Sequence, residues 1–201
     1  MSLLDFDALN ETSILETSKP GTLFCFGHGF SSRALAQRLI SKGWKVSGTC
    51  RDKDSKKILK NEGQLYEYNG ININKEIYNA IDKSTHLLIS IPPQASEDPV
   101  LDRFSNEILN WKHLKWIGYI SSTGVYGDAK GKWVDENSVL KPATAINQRR
   151  VAIESAWLKL YKVNGLPVVI FRCVGIYGPG RNTLISVKLG RSKRIEKPGL
   201  V

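Results

Sequence analysis

From Thr22 onward the chain switches repeatedly between two hydrophobic periods. Thr22-Leu23-Phe24-Cys25-Phe26 is a short apolar run bounded by Gly21 and Gly27, the pattern of a strand buried on both faces. Residues 31–42 then space Ala34, Leu35, Leu39 and Ile40 at helical intervals, and Gly43 stops the run. The same logic predicts strands at 44–50, 64–68, 85–91, 114–121 and 167–173. It predicts helices at 52–61, 74–82, 99–111 and 147–163, the first of them highly charged. Six strands alternating with helices imply an α/β fold with a parallel, doubly wound sheet. Right-handed crossovers in such a sheet place a ligand at the carboxyl ends of the strands, where the strand order reverses. Residues 1–20 are polar and irregular and read as a tail; residues 21–201 read as one domain.

The first strand-to-helix junction carries candidate chemistry. Gly27-His28-Gly29-Phe30-Ser31-Ser32 has the form G-x-G-x-x-S between a predicted strand and a predicted helix, the setting of a Rossmann-type dinucleotide turn. Gly27 permits the tight turn, Gly29 lets the backbone approach a pyrophosphate, and Ser32 is small enough for helix and strand to pack closely. The helix N-terminus offers free N–H groups and partial positive charge to phosphates. His28 stands beside the pyrophosphate position or is a solvated loop residue. The second strand ends Thr49-Cys50-Arg51, with a guanidinium where the 2′-phosphate of NADP would lie and no acid to take the ribose hydroxyls of NAD. Asp52 and Asp54 come slightly late for that role. NADP(H) is therefore expected, with NAD(H) the alternative, and a solvated helix-start arginine is the other reading of Arg51. Ser90, Ile91 and Pro92 at the end of the fourth strand, and Gly175 and Ile176 after the sixth, complete the expected cofactor-binding set.

Composition narrows the partners. The net charge is +10, from 29 basic and 19 acidic residues. Many lysines fall in surface-like stretches (Lys53, Lys56, Lys57, Lys60, Lys188, Lys193, Lys197), and the aromatics are not interleaved with them. A solvated face and an anionic small ligand account for the charge without nucleic acid. No apolar stretch is long enough to span a membrane, and the N-terminus does not read as a secretory signal. Cys25, Cys50 and Cys173 are too scattered for a disulfide framework or a zinc site; each reads as a buried reduced thiol, with a reactive cysteine the alternative. These features imply a cytoplasmic protein with no metal.

Two segments later in the chain are more specific. Tyr119-Ile120-Ser121-Ser122-Thr123-Gly124-Val125-Tyr126-Gly127-Asp128 resembles the S-[ST]-x-x-V-Y-G segment of the extended short-chain dehydrogenases/reductases, the nucleotide-sugar epimerase/dehydratase group. Phe171-Arg172-Cys173-Val174-Gly175-Ile176-Tyr177-Gly178-Pro179-Gly180-Arg181 resembles their R-x-x-x-x-Y-G-P-G segment. The resemblance implies an NAD(P) cofactor, a sugar-like small-molecule substrate, and Ser122 as the hydroxyl that helps hold the reacting oxygen. Ser122 also reads as a strand-end hydroxyl capping a turn. The family's base is a Tyr four residues before a Lys. Counting back from Glu154, which resembles the family's helix glutamate, those positions are Ile146 and Arg150. An Ile transfers no proton and an Arg stays protonated, a departure that resembles the atypical branch of the superfamily. Tyr126 and Tyr177 are the nearby phenols that could stand in as acid, or simply pack their loops.

In that family a K-P-G segment continues into a further strand and a small substrate lobe. Here the sequence ends Lys197-Pro198-Gly199-Leu200-Val201, so most of that lobe is expected to be missing. The edge left open would favour a partner chain, including a second copy. Two functions follow from the resemblance: an NADP-dependent oxidoreductase or epimerase, or a non-catalytic NADP(H)-binding sensor or scaffold.

Overall fold

A computed structural model describes residues 19–51, 63–71, 75–94 and 98–192. The expected tail before Lys19, the charged helix at 52–61 with Asp52 and Asp54, and the final 197–201 segment lie outside these residues. The strands are β1 (Thr22–Phe26), β2 (Lys45–Cys50), β3 (Gln64–Glu67), β4 (His86–Ile89), β5 (Trp116–Ser122) and β6 (Val168–Cys173). The helices are α1 (Phe30–Ile40), α2 (Lys75–Asp82), α3 (Leu101–Asn110), α4 (Ala145–Asn164) and α5 (Thr183–Lys188). All six strands are parallel, in the order β3-β2-β1-β4-β5-β6. This is the doubly wound Rossmann order, with its switch point between β1 and β4.

The period-2 alternation of β1 shows why the sheet is central. Phe24 and Phe26 face the larger core with Ile77 and Ile81 of α2, Phe104 and Ile108 of α3, and Trp157 of α4. Leu23 and Cys25 face the opposite side with Ala36 of α1, Val46 and Leu88. Both faces are buried, so the strand is apolar throughout. Burial also pushes the Cys25 thiol up to about 12. Toward the other end the cover thins. On β6, Val168 joins the larger core, but Val169 and Phe171 on the opposite face are 41% and 42% exposed, with the Phe171 ring 5.9 Å from Trp116.

Caps set the helix ends. The Asp98 carboxylate accepts from the backbone N–H of Val100 (2.8 Å) and Leu101 (3.1 Å), and its other oxygen accepts from Trp157 Nε1 at 3.1 Å. Burial pushes the Asp98 carboxyl up, and these hydrogen bonds pull it back. The helix expected from Pro99 therefore starts at Leu101. Thr144 Oγ1 accepts from Asn147 N–H, and Gly165 takes φ +69° at the far end, so α4 runs longer than the expected 147–163. Sequence periodicity did not anticipate α5 or the 3₁₀ turn Thr123–Tyr126.

Candidate functional site

The turn between β1 and α1 sits at the switch point, held by the end of β2. Gly27 N–H donates to Thr49 Oγ1 (2.8 Å) and His28 N–H to the Thr49 carbonyl (2.7 Å). Gly27 has φ +86°, and an added Cβ would meet Ile91 Cγ1 at 3.0 Å and Ser90 Oγ at 3.1 Å. Its glycine is a steric requirement of the fold. The Ser32 and Ser90 hydroxyls lie 2.8 Å apart, and both reach the Gly27 carbonyl, at 2.8 and 2.5 Å. Ser32 thus does more than stay small: with Ser90 it ties the ends of β1 and β4 to the first turn of α1.

Gly29 is different. It is the N-cap of α1 with φ −89° and ψ −163°, a conformation open to any residue, and an added Cβ would meet nothing within 4 Å. No side chain caps this helix and no acid lies in its first turn. Its leading N–H groups are left without a side-chain cap beside open space at Gly29, the arrangement of an anion site.

A cleft of about 870 Å³ runs from this turn over the ends of β2, β3 and β4. His28, Gly29 and Phe30 form one wall, Arg51 stands at the end of β2, and Ile91 and Pro92 follow β4, as the sequence led one to expect. Arg33, Asn69, Gly70 and Gln94 also line it and were missed by sequence reasoning. The signal for the last three was available, because every strand end of a parallel sheet contributes to the crevice. Arg33 had none beyond its place one turn into α1. No carboxylate lines this cleft among the described residues. Tyr68 also borders it, but its hydroxyl is spent on the Pro99 carbonyl at 2.7 Å.

A second cleft of about 560 Å³ shares Gly29, Phe30, Ser90 and Pro92 with the first, so the two form one crevice around the turn. It brings together Ser31 and Ser122, Gly175 and Ile176, and also Ser121, Arg150, Cys173 and Arg181. Ser122 lines the cleft while its Oγ accepts from Gly124 N–H at 3.2 Å, so it both faces the crevice and caps the turn. Cys173, expected to be buried, is partly exposed here because it is the last residue of β6.

The phenols stay outside. Tyr126 is buried and does not line the cleft; its hydroxyl accepts from Arg172 Nη1 at 2.9 Å, and the guanidinium lies 5.0 Å over its ring. Tyr177 is 80% exposed and Ile146 59% exposed, and neither lines the cleft. Arg172 also donates through Nε (3.1 Å) and Nη2 (2.9 Å) to Glu154 Oε2, joining β6 to α4. Tyr119 is fully buried on β5. Burial pushes its phenol far up, and Asp98 adds to this, while Arg150 pulls the other way.

Comparison with known proteins places the chain by family and fold. Residues 26–189 match the model of the NAD dependent epimerase/dehydratase family. Protein YeeZ of Escherichia coli K12 is 29% identical over 166 residues, covering 78% of this chain and 59% of YeeZ. The structure of a conserved protein of unknown function from Silicibacter pomeroyi DSS superimposes with a TM-score of 0.78 at 38% identity, covering 89% of this chain and 61% of that one. UDP-glucuronic acid 4-epimerase from Bacillus cereus, solved in complex with NAD, shares the fold at a TM-score of 0.64 and 18% identity, covering 78% of this chain and 57% of its own. The chain spans about three fifths of the length of these relatives. The parallel sheet, the glycine turn at its switch point and the match over residues 26–189 establish that the chain belongs to the NAD dependent epimerase/dehydratase family.

Proposed function

We propose that this protein binds NADP(H) along the crevice, with the pyrophosphate on the α1 N-terminus and a sugar-like substrate at the Ser122 end. Gly29 carries the reading: its Cβ space is empty, its backbone needs no glycine, and a phosphate in that space is what a side chain would exclude. Arg33 and Arg51, with no carboxylate among the described residues of the lining, support NADP(H) over NAD(H). When bound, the cofactor would supply hydride exchange for an oxidoreductase or epimerase reaction. Ser122 would hold the substrate oxygen, and Arg150 would supply fixed positive charge without exchanging a proton.

The absence of a phenol from the lining of the second cleft, with Ile146 outside it, favours a second reading, a non-catalytic NADP(H) sensor or scaffold. Among the described residues one face of β6 is left half covered, which supports pairing with a second copy. The cytoplasm is the compartment both readings imply.

Fluorescence titration with NADPH and NADH tests the cofactor. NADPH is expected to bind more tightly, and Arg51→Ala to remove about 1.5 kcal/mol of that preference, roughly tenfold. Equal affinities in the unmutated protein would overturn the assignment. NADPH absorbance with a sugar-nucleotide panel then separates enzyme from sensor. Turnover near ~1 s⁻¹ supports the first reading, and bound cofactor without turnover the second.

A further inference from the structure

The Ser122 end of the crevice carries positive charge that no carboxylate among the described residues neutralises. Its charged lining residues are Arg150 and Arg181, and no carboxylate lines it among the described residues. Arg172 shows what the fold does with a structural arginine: Glu154, 1% exposed, takes two of its donors on one oxygen. Neither Arg150 nor Arg181 has such an ion pair among the described residues.

Both are nonetheless held in place. Arg150 rides on α4, near enough to the buried Tyr119 to act on its phenol. Arg181 exchanges backbone hydrogen bonds with Gly178 (2.8 and 2.9 Å), and its guanidinium lies 5.5 Å over the ring of Phe30, the first residue of α1. The Phe30 ring in turn packs against Gly178, where an added Cβ would stand 3.0 Å away. The loop after β6 is thereby pinned to the glycine turn with a cation at the contact. In the same cleft Ser121, 4% exposed, has a hydroxyl with no hydrogen-bond partner. A buried donor left unsatisfied is unfavourable unless a ligand completes it.

We propose that this end of the crevice is an anion subsite, so that the substrate carries a carboxylate or phosphoryl group beside its reacting hydroxyl or carbonyl. Arg150 and Arg181 take the acid group and Ser121 donates to it. The subsite rests on the NADP(H) reading for its role but not for its existence. The cofactor's pyrophosphate is already provided for by the α1 N-terminus, which leaves these two guanidinium groups for a second anion.

The test is calorimetric titration of the 201-residue chain, NADPH-saturated and cofactor-free, with three probes: glycolate, inorganic phosphate and the neutral glycolamide. At least one of the two anions is expected to bind alongside NADPH, and glycolamide is not. Arg150→Gln and Arg181→Gln should each weaken that anion roughly tenfold or more. Lys159→Gln, which removes one exposed charge further along α4, should leave anion binding unchanged. A preference for glycolate assigns a carboxylate, and a preference for phosphate a phosphoryl group. The proposal is overturned if neither anion binds, if glycolamide binds as well as glycolate, if the arginine variants bind like the parent, or if the anions displace NADPH. If NADPH itself fails to bind, the cofactor reading falls, and the titrations of the cofactor-free protein still decide the subsite.

Discussion

At Gly27 an added Cβ would collide with Ile91 and Ser90 on a backbone already at φ +86°, whereas at Gly29 it would project into open space. Gly27→Val should therefore damage the fold. Gly29→Val should keep the parent's melting temperature and lose NADPH binding, as read by thermal unfolding and fluorescence titration on the same samples. Retained affinity in Gly29→Val would show that the nucleotide binds elsewhere. The G-x-G pattern presents both residues alike, so their separate reasons could not be read from it. Ser32 is a similar case. The sequence accounts for its size, but its hydroxyl contact with Ser90 depends on a residue brought up by β4, far away along the chain. Cys173 was expected to be buried because it belongs to an apolar strand, but as that strand's last residue it borders the crevice and is partly exposed.

Among the elements, α4 is tied to its neighbours by two polar contacts as well as by its apolar side. Trp157 donates to Asp98, which also caps α3, so one buried carboxylate joins two helices. Glu154 takes the guanidinium of Arg172 from β6. Glu154→Gln would leave that cation, only 16% exposed, without its counter-charge. The expected loss is about 3 kcal/mol of stability in urea unfolding, with secondary structure unchanged by circular dichroism. An unchanged midpoint would show that the pair is energetically idle. Every described strand and four of the five helices were legible from periodicity. Their ends were not, since Asp98, Thr144 and Gly165 act through hydrogen bonds and backbone angle. The short α5 escaped because its apolar positions Leu184 and Val187 stay exposed, at 80% and 59%, and trace no buried face.

For the molecule as a whole, the doubly wound parallel sheet followed from the alternation of strands and helices, and with crossover handedness so did a crevice at the carboxyl ends of the strands; the order β3-β2-β1-β4-β5-β6 is the structure's own. What did not follow was the company Arg150 and Arg181 keep, because the sheet joins segments that no local pattern connects. The open flank of β6 has a measurable outcome. Sedimentation velocity is expected to show self-association that rises with concentration, and Val169→Lys with Phe171→Lys should return the protein to monomer. A monomer at every concentration would argue against pairing through this face. The same flank divides the crevice into unequal halves. Among the described residues β1 and β4 are enclosed on both faces and β6 on one, so local opening should become easier toward that side. Deuterium would enter the β6 amides well before those of β1, and residues 173–176 would loosen with them. One jaw of the crevice is then fixed and the other yields. The fixed jaw governs how long a dinucleotide stays, and the yielding jaw how quickly a smaller molecule comes and goes.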